Sequence, residues 1–117
     1  MKTLKLPVNI HDNYHAHVYF EKETLEFAEN LCKKAGDLFT LKVGRVHQKP
    51  LGPHPKWSFQ ITFTSKDFDK FITWLDDNRQ ELSVLVHALT GDNLQDHTEF
   101  AYWLGSEIEL SLDLFRT

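Results

Sequence analysis

Four segments in which apolar and polar residues alternate, and two in which apolar residues return every three or four positions, follow one another as strand, helix, strand, strand, helix, strand. That order predicts an α+β chain of the ferredoxin-like kind, a βαββαβ sandwich in which two helices cover one face of an antiparallel sheet. A C-terminal extension follows the last strand. The 117 residues fit a single domain over 1–117, long enough to bury a core and too short for two.

Met1 to Asn13 reads as a polar lead-in with His11 at the surface. The first strand is Tyr14-His15-Ala16-His17-Val18-Tyr19-Phe20. Side chains alternate along a strand, so Tyr14, Ala16, Val18 and Phe20 face the core and His15, His17 and Tyr19 the opposite side. From Lys22 to Ala35, Leu25, Ala28, Leu31, Cys32 and Ala35 recur at helical spacing, and Gly36 is expected as the left-handed C-terminal cap. Leu38 to Gln48 alternates as a second strand through Phe39, Leu41 and Val43. Beyond Gly44 the parity changes, which predicts a bulge that turns Val46 inward and Arg45 and His47 outward. Lys49 to Pro55 holds three prolines and a glycine, a stiff loop carrying His54.

The third strand, Lys56 to Thr64, buries Trp57, Phe59, Ile61 and Phe63. Ser65 is expected to cap a second helix whose stripe is Phe68, Phe71, Ile72 and Leu75, ended by the polar Asp76-Asp77-Asn78. In the fourth strand Leu82, Val84 and Val86 alternate with Ser83, Leu85 and His87. Gly91-Asp92-Asn93 marks a turn, Asp96 to Leu104 an edge strand or covering segment, and the rest an amphipathic tail.

Composition excludes several functions. A net charge of −4 with mixed signs leaves no basic stripe for nucleic acid. The single cysteine, Cys32, rules out an internal disulfide and fits a reducing, cytoplasmic setting. Met1 to Pro7 carries no long apolar run and no later segment reaches membrane-spanning length, so neither export nor a membrane partner is expected. Seven histidines, nine phenylalanines and three tryptophans point instead to imidazole and aromatic chemistry.

A lone strand histidine is usually a hydrogen-bonded, partly buried polar residue. Here the topology makes the first strand central, flanked by the third and fourth, and parity sends His15, His17, His47 and His87 to one face, with His54 on the nearby loop. Charged together they repel, and neutral and unshared they waste desolvation. A shared divalent metal resolves both problems, since neutral imidazole is the commonest ligand for such ions. The expected ligands are His15, His17 and His87, with His47 the competitor. An all-histidine set suits zinc(II) as well as iron(II); the outward strand positions hold no carboxylate, and Glu99, Asp92 and Asp96 read as solvated or capping residues. Arg45 suits a substrate carboxylate, and Tyr19 suits stacking on, or hydrogen bonding to, a ring.

Tyr14 to Phe20, Gly44-Arg45-Val46-His47, Gly52-Pro53-His54-Pro55 and Val86-His87, followed by Thr90-Gly91-Asp92 through Asp96-His97, together resemble the DOPA 4,5-dioxygenase family. The resemblance runs from Asn13 to Gly105. It implies a ferredoxin-like fold and non-haem iron(II)-dependent extradiol cleavage of a catechol such as DOPA by O2. Such chemistry needs a base for a catechol proton and an acid to assist O–O cleavage, tasks suited to imidazole; His47 and His54 are the expected catalytic residues, with His97 at the substrate side as an orienting residue supported by Asp96. The alternative is a non-enzymatic ferredoxin-like dimer that holds a metal or a small aromatic. A zinc hydrolase is the weakest reading, for want of a carboxylate base. An open sheet face with Trp103 nearby suggests a homodimer.

Overall fold

The computed structural model describes residues 4–115. Five strands, β1 (Asn13–Phe20), β2 (Lys42–Val43), β3 (Trp57–Thr64), β4 (Val84–Ala88) and β5 (Ala101–Leu104), are interleaved with helices α1 (Leu25–Phe39), α2 (Phe68–Asn78) and the short α3 (Asn93–Asp96). They form one antiparallel sheet in the order β2-β3-β1-β4-β5. The first four strands and two helices are the expected ferredoxin-like sandwich, with β1 between β3 and β4, and β5 extends the sheet.

Strand parity decides the two faces. Tyr14, Ala16, Val18 and Phe20 join Phe59, Ile61, Phe63, Val84 and Val86 beneath Leu31 and Ala35 of α1 and Phe71 and Leu75 of α2. The Tyr14 ring stacks on Phe63 at 5.3 Å. Its hydroxyl donates to the Val8 carbonyl (3.0 Å) and accepts from the Ile10 and His11 amides (3.0 and 2.9 Å), so a buried phenol is satisfied by pinning the lead-in against the sheet. His11 is therefore not a free surface residue: its Nε2 meets the Tyr102 hydroxyl at 2.9 Å and its ring lies 4.6 Å from Phe100.

Several boundaries differ from the sequence pattern. Helix α1 runs through Gly36 to Phe39, and Thr40 takes the left-handed conformation instead (φ 54°). Gly36 serves close approach: a Cβ there would lie 3.3 Å from Val43 Cγ1, so the glycine lets β2 press on the helix. Phe39 packs on Phe71 and Trp74 from the helix end, leaving only Lys42 and Val43 as the second strand. The bulge is present. Val43 pairs with Ile61 but His47 with Ser58, one extra residue on the β2 side, with the Gly44 amide bonded to the Gln60 carbonyl at 2.7 Å. Val46 accordingly packs on the core. Ser65 is not the cap of α2. Its amide is held by the Asp12 carbonyl, the chain turns once more, and Asp67 occupies the N-cap position. Asp76 to Asn78 continue the helix, secured by the Arg79–Asp76 pair at 2.7 Å and by Asn78 Nδ2 donating to the Trp74 carbonyl at 2.7 Å.

The face opposite the helices is not open. Leu4, Ile108 and Leu110 pack over Tyr19, Leu85, Ala101 and Trp103. The Ser111 amide donates to the Pro53 carbonyl at 2.8 Å, clasping the tail to the histidine-bearing loop. Trp103 is buried beneath this cover, so an exposed aromatic face no longer argues for a dimer. No helix among the described residues is long and apolar enough to cross a membrane.

Candidate metal centre

The sheet register lays out the site in rows. His15 sits directly opposite His87 across the β1–β4 ladder, and His17, two residues on, points to the same side. One ring nitrogen from each of His15, His17 and His87 lies within 4.8 Å of the others. His17 and His87 are buried and their Nε2 atoms are 3.0 Å apart. The His87 Nδ1–H donates to the Ala88 carbonyl at 2.8 Å, which leaves the neutral ring with its lone pair on Nε2, aimed at His17. Two nitrogens bound to one ion at about 2.0–2.1 Å stand roughly 3.0 Å apart at a right angle and about 3.4 Å apart in a tetrahedron. The donor set therefore fits a metal ion without rearrangement of this pair.

Electrostatics favours the same state. Burial, then the positive potential of His54, His87 and other neighbouring imidazoles, holds His17 well below the usual histidine range. Burial first and His97 second lower His87 to about 3, partly offset by the Ala88 hydrogen bond, and burial lowers His15 as well. All three are unprotonated near neutral pH, the form that ligates.

Two further histidines flank the three. His54 is carried by a tight hairpin in which Leu51 and His54 exchange backbone hydrogen bonds (3.2 and 3.0 Å) around Gly52-Pro53, with Gly52 at φ 57°. Its ring lies 4.0 Å from that of His17, and its Nδ1 meets the buried Tyr19 hydroxyl at 2.6 Å. Desolvation and then His97 bring His54 to about 4. His97, in the turn closing α3, lies with its ring tilted 38° and 4.2 Å from that of His87 and donates Nδ1–H to the Asn93 carbonyl at 2.7 Å. Phe115 of the tail covers its other side at 4.8 Å.

The remaining candidates divide. His47 is bridged by backbone hydrogen bonds to Ser58, which pairs with Tyr19, placing it at the rim where its charge reaches His54. Arg45 is exposed and forms no hydrogen bond or ion pair with the described residues. Asp96 is buried but does not support His97: its carboxylate accepts from the Thr90 amide and hydroxyl at 2.9 and 2.7 Å, locking the turn after β4. Asp92 caps α3 through the Gln95 amide (3.0 Å) and Glu99 accepts from Gln95 Nε2 (2.7 Å), so both are structural as read from sequence. Sequence reasoning missed the Tyr19–His54 contact and the tail wall. Neither has a local pattern, because each joins segments distant in the chain.

A cavity of about 660 Å³ opens between sheet and tail, where Ala101, Trp103, Leu110 and Leu112 share the wall with the charged Lys5 and Glu109, and His97 is the histidine that lines it. Such a volume suits a small aromatic ligand. The fold and site thus define a ferredoxin-like α+β protein with a three-histidine, metal-competent centre, two of its imidazoles buried, beside a pocket of mixed polar and apolar lining. The Dopa 4,5-dioxygenase family model matches residues 14–114, and the chain belongs to that family. It is 32% identical over 108 residues to the DOPA 4,5-dioxygenase of Amanita muscaria, a match covering 85% of this chain and 47% of that enzyme. The chain thus spans about half of that relative's length. It is 35% identical to an uncharacterised 21.2 kDa protein of Botryotinia fuckeliana, over 97% of this chain and 69% of that one. Among solved structures, a candidate dioxygenase of Nostoc punctiforme superposes with a TM-score of 0.87 at 39% identity, covering 91% of this chain and 92% of the other.

Proposed function

We propose that the chain, acting as one domain over residues 1–117, is an extradiol dioxygenase that opens the ring of a catechol such as DOPA, with ferrous iron held by His15, His17 and His87. The observation that carries this reading is the meeting of three neutral imidazoles from two strands within 4.8 Å on a covered sheet face. Zinc(II) suits the same nitrogens and is the alternative occupant. When bound, ferrous iron supplies the electron relay between a chelated catechol and dioxygen that spin rules otherwise forbid. The net reaction adds both oxygen atoms to the catechol, giving a muconic semialdehyde with no external reductant.

The chain's own residues do the rest. The Trp103 indole and the apolar side chains of the tail hold the ring. His47 and His54 handle the catechol protons as base and acid. Tyr19 orients His54 through their hydrogen bond, His97 meets substrate at the cavity edge, and the exposed guanidinium of Arg45 is available to a substrate carboxylate. The reading includes a cytoplasmic setting, and a homodimer formed through a surface other than the covered face, for which the exposed Leu6, Val8 and Ile10 are the nearest apolar stretch.

The test is direct: anaerobic protein loaded with ferrous iron, given DOPA and then air, develops the yellow absorbance of a semialdehyde with stoichiometric oxygen uptake. No colour and no uptake with any of several catechols defeats it. The tail lying over the histidine face favours a second reading, a binding protein that holds zinc or a small aromatic without turnover. Tightly held zinc with no oxygen uptake by the iron-loaded protein would select that one.

A further inference from the structure

We propose that the two histidines flanking the centre hold opposite tautomers, each fixed by its Nδ1 partner, so that His97 presents a bare Nε2 lone pair and His54 presents an Nε2–H. For His97 the partner is a carbonyl oxygen, that of Asn93 at 2.7 Å, which can only accept. Nδ1 must carry the hydrogen, and the neutral ring is left with its lone pair on Nε2.

For His54 the partner is a phenol. The Tyr19 hydroxyl has one hydrogen, it is buried, and among the described residues its one hydrogen-bond partner is His54 Nδ1 at 2.6 Å. Were Nδ1–H to donate to the phenol oxygen, the phenolic hydrogen would be left buried without an acceptor, at a full desolvation cost. Tyr19 therefore donates to Nδ1, and the single hydrogen of the neutral His54 ring sits on Nε2. This removes His54 from any ligand set, since one nitrogen is engaged and the other protonated, although its ring lies 4.0 Å from that of His17.

The consequence for chemistry rests on the dioxygenase reading above. The rings of His54 and His97 are 6.4 Å apart, His54 beside His17 and His97 beside His87. His97, which also lines the cavity, offers its bare Nε2 as a hydrogen-bond acceptor to a catechol hydroxyl and so orients the substrate. His54 presents its Nε2–H as a hydrogen-bond donor to an oxygen of the reacting group. The two roles then start on different residues, and Tyr19 acts as a positioning residue for the donor.

The tautomers are readable without turnover. In zinc-loaded, ¹⁵N-labelled protein at neutral pH, two-bond ¹H–¹⁵N correlations should show a pyridine-type Nδ1 for His54 and a pyridine-type Nε2 for His97. The reverse pattern for either ring overturns the proposal. Tyr19→Phe should release His54 from its single tautomer while zinc content stays at the native level, and in the iron-loaded enzyme it should lower kcat tenfold or more with KM within about twofold. His54→Gln should also keep its zinc; a variant that loses it makes His54 a ligand and overturns the assignment. A protein with the expected spectrum and no oxygen uptake defeats the dioxygenase reading alone, leaving the tautomers standing.

Discussion

Strand β1 presents two faces that are both largely buried and differently made. Tyr14, Ala16, Val18 and Phe20 lie under two helices, and His17 and Tyr19, on the alternate positions, lie under a loop and a tail. Each apolar side chain taken out of water on the helix side contributes about 1.5–3 kcal/mol. On the histidine side burial works against the fold, since it holds imidazoles in a neutral state that solvent would protonate in mild acid. Burial alone therefore does not separate core from site. The separation lies in what the buried atoms can do: one face supplies the stability that the other consumes to keep lone pairs aimed at one another.

If that division is real, the two faces should fail in different ways. His17→Ala combined with His87→Ala should abolish metal binding, from near one equivalent of iron or zinc to near none by elemental analysis, with native far-ultraviolet circular dichroism retained. Phe71→Ala, on the helix side at a fully buried position, should instead cost about 3–5 kcal/mol of unfolding free energy, while its folded fraction binds metal with native stoichiometry. Full occupancy in the histidine double variant, or loss of metal from folded Phe71→Ala protein, would erase the distinction.

The helix side was legible in the sequence because periodicity is a local signal. The parities of Tyr14 to Phe20, Trp57 to Phe63 and Val84 to His87 gave the sheet faces and hence the juxtaposition of His15, His17 and His87. What was not legible depends on partners far along the chain. Gly36 reads as a cap until Val43 is seen against it. Ser65 reads as a cap until the Asp12 carbonyl takes its amide. Asp96 reads as a partner for His97, its neighbour in sequence, but Thr90 competes successfully for the carboxylate. The tail has too weak a pattern to reveal that Ile108 and Leu110 close the histidine face.

Acid should sharpen the contrast. His87 and His54 are lowered in the folded state to about 3 and about 4 by burial and neighbouring imidazoles, whereas an unfolded histidine titrates near 6.5. Below that pH the unfolded chain takes up protons that the folded chain refuses, so their contribution is intact above about pH 6.5 and is lost as pH falls toward the folded values. Between pH 6.5 and 5, above the range of ordinary carboxylates, unfolding free energy of metal-free protein should fall with a slope approaching roughly 1.4 kcal/mol per pH unit for each such histidine. His87→Asn should flatten that slope. Phe71→Ala should lower the whole curve and leave the slope alone. A flat native profile would mean that these imidazoles are as free to protonate as in the unfolded chain.

The smallest effect concerns the covers themselves. The helices are held by continuous apolar stripes, whereas the tail lies over the site through half-buried Ile108 and Leu110, the Phe115 ring against His97 and a backbone hydrogen bond from Ser111 to Pro53. Segments with so few buried contacts open locally at a small fraction of the global unfolding free energy. The Ser111 amide should therefore exchange with deuterium much faster than the paired amides of β1. Leu110→Ser should accelerate it further while lowering global stability by only about 1 kcal/mol, because the lost side chain is half exposed. It should also raise KM for a catechol several-fold, since Leu110 walls the cavity. Helix-side substitutions of equal cost should leave both Ser111 exchange and KM unchanged. Exchange at Ser111 as slow as in β1 would mean that the tail unfolds only with the rest of the chain, and that the histidine face is sealed as firmly as the core.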